Sequence, residues 1–133
     1  MAKPKTGPKA AAEILKGLDE ATRTRIFSEI QKKDPKLADI IQNQMFLFDD
    51  LLKIENSILQ AFLLELDRNL LALALRKVKP ELKDKVFEVL PKRLRQELEE
   101  SIASMGPKKI SDVETAQKKI ADMIYLKTKK DET

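Results

Sequence analysis

Apolar residues recur along this chain at spacings of three and four, the period of helices buried along one face. Ala11, Ile14, Leu15 and Leu18 form the first stripe, and Gly17 weakens its end. Asp19 reads as the N-cap of a second helix, which is expected to bury Ile26, Phe27 and Ile30. In Asp34–Pro35 the aspartate reads as a cap and the proline as the first helical residue, where its missing N–H removes nothing. That third helix is expected to bury Leu37, Ile40 and Ile41. Three short helices joined by tight connections suggest an armadillo-like right-handed stack.

Next come Met45, Phe46, Leu47 and Phe48, followed by Asp49 and Asp50. Two phenylalanines within four positions stand out in a chain that has only 5. Helical patterning resumes at Ile58, Phe62, Leu63 and Leu66 and runs into Leu70, Leu71, Leu73 and Leu75. The last stretch is apolar almost all round, which predicts a central buried helix. Pro80 opens a helix carrying Leu82, Val86 and Phe87. Pro91 opens another, with Leu94, Leu98, Ile102 and Met105 inward, and Gly106–Pro107 stops it. Ser111 with Glu114 three residues later reads as a capping box for a last helix through Val113, Ile120, Met123 and Ile124.

Composition supports an all-α reading. Hydrophobic residues make up 42% and charged residues 36%, there are 3 glycines, and the abundant Leu, Ala, Lys and Glu favour helices. Cysteine and histidine are both absent. That excludes disulfides and thiolate metal sites, and it removes the commonest general base at neutral pH. No nucleophile–base pair, metal cluster or phosphate-cradling glycine loop is legible, so neither an enzyme nor a cofactor is expected. No apolar run has the length of a membrane span, so no membrane insertion is expected. The first twelve residues lack the apolar core of a secretory signal, which points to the cytoplasm. Net charge is +4, but Lys3, Lys5 and Lys9 carry +3 of it and the residues from Lys127 onward +1, leaving the body neutral. A neutral body offers no phosphate-tracking groove, and nucleic acid is not expected as a partner.

Several phrases, in order, resemble the C-terminal half of FliG, the flagellar rotor switch protein family. Ala10–Ala11–Ala12–Glu13–Ile14–Leu15 is similar to the opening of the family's second armadillo-like unit, and Asp34–Pro35–Lys36–Leu37–Ala38 to its Asp-Pro-Glu-Leu-Ala phrase. Met45–Phe46–Leu47–Phe48 is similar to its Met-Phe-x-Phe hinge, and Leu73–Ala74–Leu75–Arg76 to its Ala-Leu-Lys segment. Gly106–Pro107, then Asp112–Val113–Glu114, Ala116–Gln117 and Ile120, resemble its Gly-Pro…Asp-Val-Glu-x-Ala-Gln-x-x-Ile signature. The ordered set covers residues 10–126.

The resemblance implies an armadillo-like stack followed by a six-helix superhelical unit. Residues 1–9 are then a flexible basic tail, 10–44 the armadillo-like unit, 45–48 the hinge, 49–126 the torque unit and 127–133 a flexible tail. It also implies the partners: the switch protein FliM, the stator protein MotA, and neighbouring FliG copies stacked or exchanged through the armadillo-like unit. The expected location is the cytoplasmic face of the inner membrane, within the flagellar basal body. Torque charges carry over by position to Arg76, Arg93, Glu100 and Lys109, and Ser101 replaces the second aspartate of the family's acidic pair. Helical spacing agrees: with Leu94, Leu98, Ile102 and Met105 inward, Arg93, Glu97 and Glu100 share the opposite face. The family's N-terminal anchoring domain and first armadillo unit have no counterpart in these residues, as expected of an excised fragment or a naturally short relative. That absence, together with Ser101, sets up the alternative of a FliG-like adaptor that binds FliM or FliG without transmitting torque.

Overall fold

The computed structural model describes residues 7–131, which hold helices and no strand. In chain order these are α1 (Pro8–Lys16), α2 (Glu20–Lys33), α3 (Pro35–Met45), a 3-10 helix (Phe48–Lys53), α4 (Asn56–Glu65), α5 (Arg68–Ala74), α6 (Pro80–Val89), α7 (Lys92–Ser104) and α8 (Ile110–Asp131). The chain divides into two compact units, with the boundary between Phe46 and Leu47.

Aspartates start three of these helices. Asp19 accepts from the Thr22 N–H at 3.1 Å, Asp34 from Leu37 at 3.1 Å, and Asp67 from Leu70 at 3.0 Å. Each satisfies one amide that the first helical turn leaves without a partner. The Asp67 cap has the same Asp-to-third-residue spacing as the other two, but the apolar run on both sides of it hides the break in the sequence. Bonds from the Thr22 hydroxyl and backbone N–H hold the Asp19 carboxyl below its ordinary value of 3.8.

In the first unit, α3 packs against both α1 and α2. Ala12, Leu15 and Ile41 form the buried centre, with Leu18, Phe27, Ile30, Leu37 and Met45 half-buried around it. Burial there is thinner than periodicity predicts: α2 has no fully buried residue, and Ile14, Ile26 and Ile40 are exposed. Three helices cannot surround their own apolar stripes, so one edge of each stripe stays uncovered.

The second unit is built on α5, whose Leu71, Ala72 and Ala74 are buried with the following Leu75, and against which both α7 and α8 pack. The 3-10 helix lies against α6 and α8, and α4 against α6. Leu51, Leu59, Leu82, Val86, Leu98, Ile120 and Ile124 are the most deeply buried large side chains of this core. Side chains tie down the loose carbonyls at helix ends. Lys85 donates to the carbonyls of Leu52 and Ile54, and Gln60 to that of Val89. Phe87 is only half-buried, with the Lys83 ammonium 5.7 Å from its ring centre.

Four expectations about where elements begin and end change. Pro8 and Lys9 belong to α1, because proline at a first helical position needs no N–H partner, so the leading tail is shorter than predicted; residues 1–6 lie outside the described residues. α8 continues through Asp131, with Lys127 bonded to Glu65 at 2.7 Å, so 127–131 are helical; residues 132–133 lie outside the described residues. Pro91 caps α7 rather than entering it, with Lys92 its first residue. Ser111 is not the cap of α8. The helix starts at Ile110, and the Lys109 carbonyl accepts from Asp112 and Val113, which places Ser111 inside the first turn.

Asp34→Ala should therefore cost about 1 kcal/mol, whereas Ser111→Ala should stay within about 0.5 kcal/mol, both read by urea unfolding. The Asp19 cap contributes above the carboxyl's ordinary value and is lost as pH falls through its depressed one. Amide exchange at the start of α2 should accordingly rise in acid below pH 3.8, and Asp19→Asn should remove that dependence.

Candidate interaction surface

The four residues 45–48 fall on three different structural features. Met45 ends α3 and packs against the core of the first unit. Phe48 begins the 3-10 helix and is buried in the second unit at 6% exposure. Between them, Phe46 and Leu47 are extended, with φ/ψ of −77/120° and −110/161°. The Phe46 N–H closes α3 on the carbonyls of Gln42 and Asn43, while the Leu47 N–H bonds the Asp50 carboxylate at 2.8 Å. Each amide thus belongs to the unit on its own side.

The charged face of α7 is solvent-facing. Arg93, with its side chain 89% exposed, lies 3.5 Å from Glu97 one turn on, and Glu100 follows as an exposed carboxylate. Glu97 also pairs with Arg68 at the start of α5, so its carboxylate sits between two guanidinium groups. Arg68 was not legible as a site residue: it is far from Glu97 in sequence, and no local spacing reports the pairing. The opposite side of α7 is less buried than the pattern implies. Only Leu98 is fully buried, with Leu94, Ile102 and Met105 half-buried.

The other charges sit at helix ends. Arg76 is exposed just past α5, and its Nη1 donates to the Ile102 carbonyl at 3.0 Å. Lys109 is exposed, with its carbonyl starting α8. Ser101 is half-buried. Gly106 takes φ 75° just beyond α7 in open space, so its need for glycine is conformational rather than steric, and Pro107 follows where no helix can continue. The sequence marks Gln117 only as part of a signature phrase, yet its amide donates to the carbonyls of Ala74 at 2.8 Å and Lys77 at 2.7 Å. Its position between Val113, Ala116 and Ile120 was the available signal, a long polar side chain on an apolar face.

Among the described residues, no cluster of acidic side chains is placed to hold a metal ion, and no helix is long and apolar enough to cross a membrane. The family described as FliG C-terminal domain matches residues 28–132. The chain belongs to this family.

The flagellar motor switch protein FliG of Thermotoga maritima is 41% identical over 118 residues, covering 89% of this chain and 35% of that protein. Its Bacillus subtilis counterpart is 31% identical over 118 residues, with the same coverage of 89% and 35%. A crystal structure of a Helicobacter pylori FliG fragment superposes with TM-score 0.84 at 30% identity, covering 98% of this chain and 57% of that one. Full-length FliG from Aquifex aeolicus superposes with TM-score 0.67 at 31% identity, covering 96% of this chain and 40% of that one. The chain spans about a third of the length of the curated FliG relatives it matches.

Both partners of the Arg68–Glu97 pair are partly exposed, so a double-mutant cycle with Arg68→Ala and Glu97→Ala should give a coupling of about 0.2–1 kcal/mol. The coupling should shrink as salt rises.

Proposed function

We propose that this chain works as the C-terminal part of a flagellar rotor switch component. In this reading it docks the switch protein FliM and turns a charged helix towards the stator protein MotA at the cytoplasmic face of the inner membrane. The observation that carries the reading is the α7 face, where exposed Arg93 and Glu100 flank a half-buried Glu97, one cation followed by two carboxylates, on a helix anchored by buried Leu98. Such a row fits a counter-charged helix and acts on encounter rate and register more than on bulk affinity. Exposed Lys109, just before α8, is a further stator-facing cation in this reading, and the four residues 45–48 serve as the pivot between the two units. Thin burial around Ile14, Ile26 and Ile40 suits the first unit to stacking on a neighbouring FliG copy.

The half-buried, uncharged Ser101 supports a second reading, an adaptor that binds FliM or FliG without passing torque.

With Arg93→Glu as the only copy, swimming torque should fall while circular dichroism stays unchanged. Normal motility would overturn the rotor reading. In a pull-down, capture of FliM and of the stator's cytoplasmic loop should weaken from low to high salt, as contacts between exposed charges do. Capture of FliM without any capture of the loop would favour the adaptor.

A further inference from the structure

Helices α7 and α8 both rest on α5 but share little direct contact with each other. Besides this shared packing and the connecting loop, the turn that ends α5 also ties them. Gln117 reaches from α8 to the carbonyls of Ala74 and Lys77, at either end of this turn. From inside the turn, Arg76 reaches the other way, donating to the Ile102 carbonyl of α7 at 3.0 Å. That carbonyl is among the last four of α7, which no intrahelical amide satisfies, and a cation is favoured at that end of a helix.

The far end of α7 needs such a hold. Its one fully buried side chain is Leu98, and beyond it Ile102 and Met105 are only half-buried. A surface cleft of about 340 Å³, lined by Asn69, Leu73, Ser101, Ser104, Met105 and Lys108, lies beside this last stretch. With little apolar burial, one charge-assisted hydrogen bond carries a large share of the local stability.

We infer that Arg76 is a positioning residue: through the Ile102 carbonyl it fixes the C-terminal half of α7, and so the direction in which Glu100 points, while Gln117 anchors the same turn to α8. The contact role of the α7 face rests on the reading proposed above; the strut does not, because it is a property of the isolated chain.

Amide hydrogen exchange on the 133-residue chain tests it. Arg76→Met should speed exchange at Ala103, Ser104 and Met105 by about three- to tenfold, the range expected for losing one hydrogen bond. Arg76→Gln, whose amide is too short to reach Ile102, should do the same, and Arg76→Lys should restore most of the protection. Arg93→Met should leave these amides unchanged. Unaltered exchange in both Arg76→Met and Arg76→Gln, an equal rise with Arg93→Met, or a rise spread evenly over α5 to α8 would overturn the assignment. None of these outcomes depends on whether Arg93→Glu affects motility, so the two readings can fail separately.

Discussion

Helix α5 is seven residues long, too short to be helical in water by itself, and two longer helices rest on it. The arrangement holds because Leu71, Ala72, Ala74 and Leu75 are buried together, leaving almost no polar face. Small alanines among the leucines let neighbouring backbones come close, and the Asp67 carboxylate satisfies an amide at the helix start. Helices α7 and α8 take their placement from this element, and the 3-10 helix in turn lies against α8. Where apolar contact runs thin at the margins, side chains such as Gln117, Lys85 and Gln60 take over by bonding the carbonyls that helix ends leave open.

Periodicity and punctuation made the elements legible. The prolines at 35 and 80 and the aspartates at 19 and 34 mark starts that the structure keeps, and the apolar stretch from Leu70 to Leu75 is the buried centre. Periodicity reports which residues would prefer to be buried, not whether enough protein is present to bury them. That is why Ile14, Ile26 and Ile40 read as core and stand exposed in a unit of three helices. The Ser111 capping pattern misled for a related reason: once Gly106 turns the backbone, the chain re-enters a helix one residue before the serine. Local signals place helix ends only to within a residue or two.

The charged face was legible by a different route. The spacing of Arg93, Glu97 and Glu100 against Leu98 follows from helical geometry, and the structure keeps Arg93 and Glu100 in solvent. Long-range bonds leave no trace at fixed spacing, so neither the Arg68–Glu97 pair nor the reach of Arg76 to Ile102 could be read from the sequence. Those two contacts change what the charges mean. Glu97 looks like one more solvated member of the row, but it is shared between Arg68 and Arg93 and is less free to meet a partner than Glu100.

A residue's sign alone therefore does not settle its role on such a surface. Arg93 and Arg76 are both exposed guanidinium groups on neighbouring elements, and a charge map would treat them alike. Arg93 makes one long contact along its own helix, a pairing weak enough to exchange readily with another carboxylate. Arg76 instead bonds the carbonyl of a different helix at a point where burial is thin and a cleft lies alongside. A partner that drew Arg76 away would loosen the end of α7 as it bound, whereas one that engaged Arg93 would leave the helix where it was. The first event couples binding to a change in the helix and the second does not, so the two arginines have different mechanical consequences despite carrying the same charge.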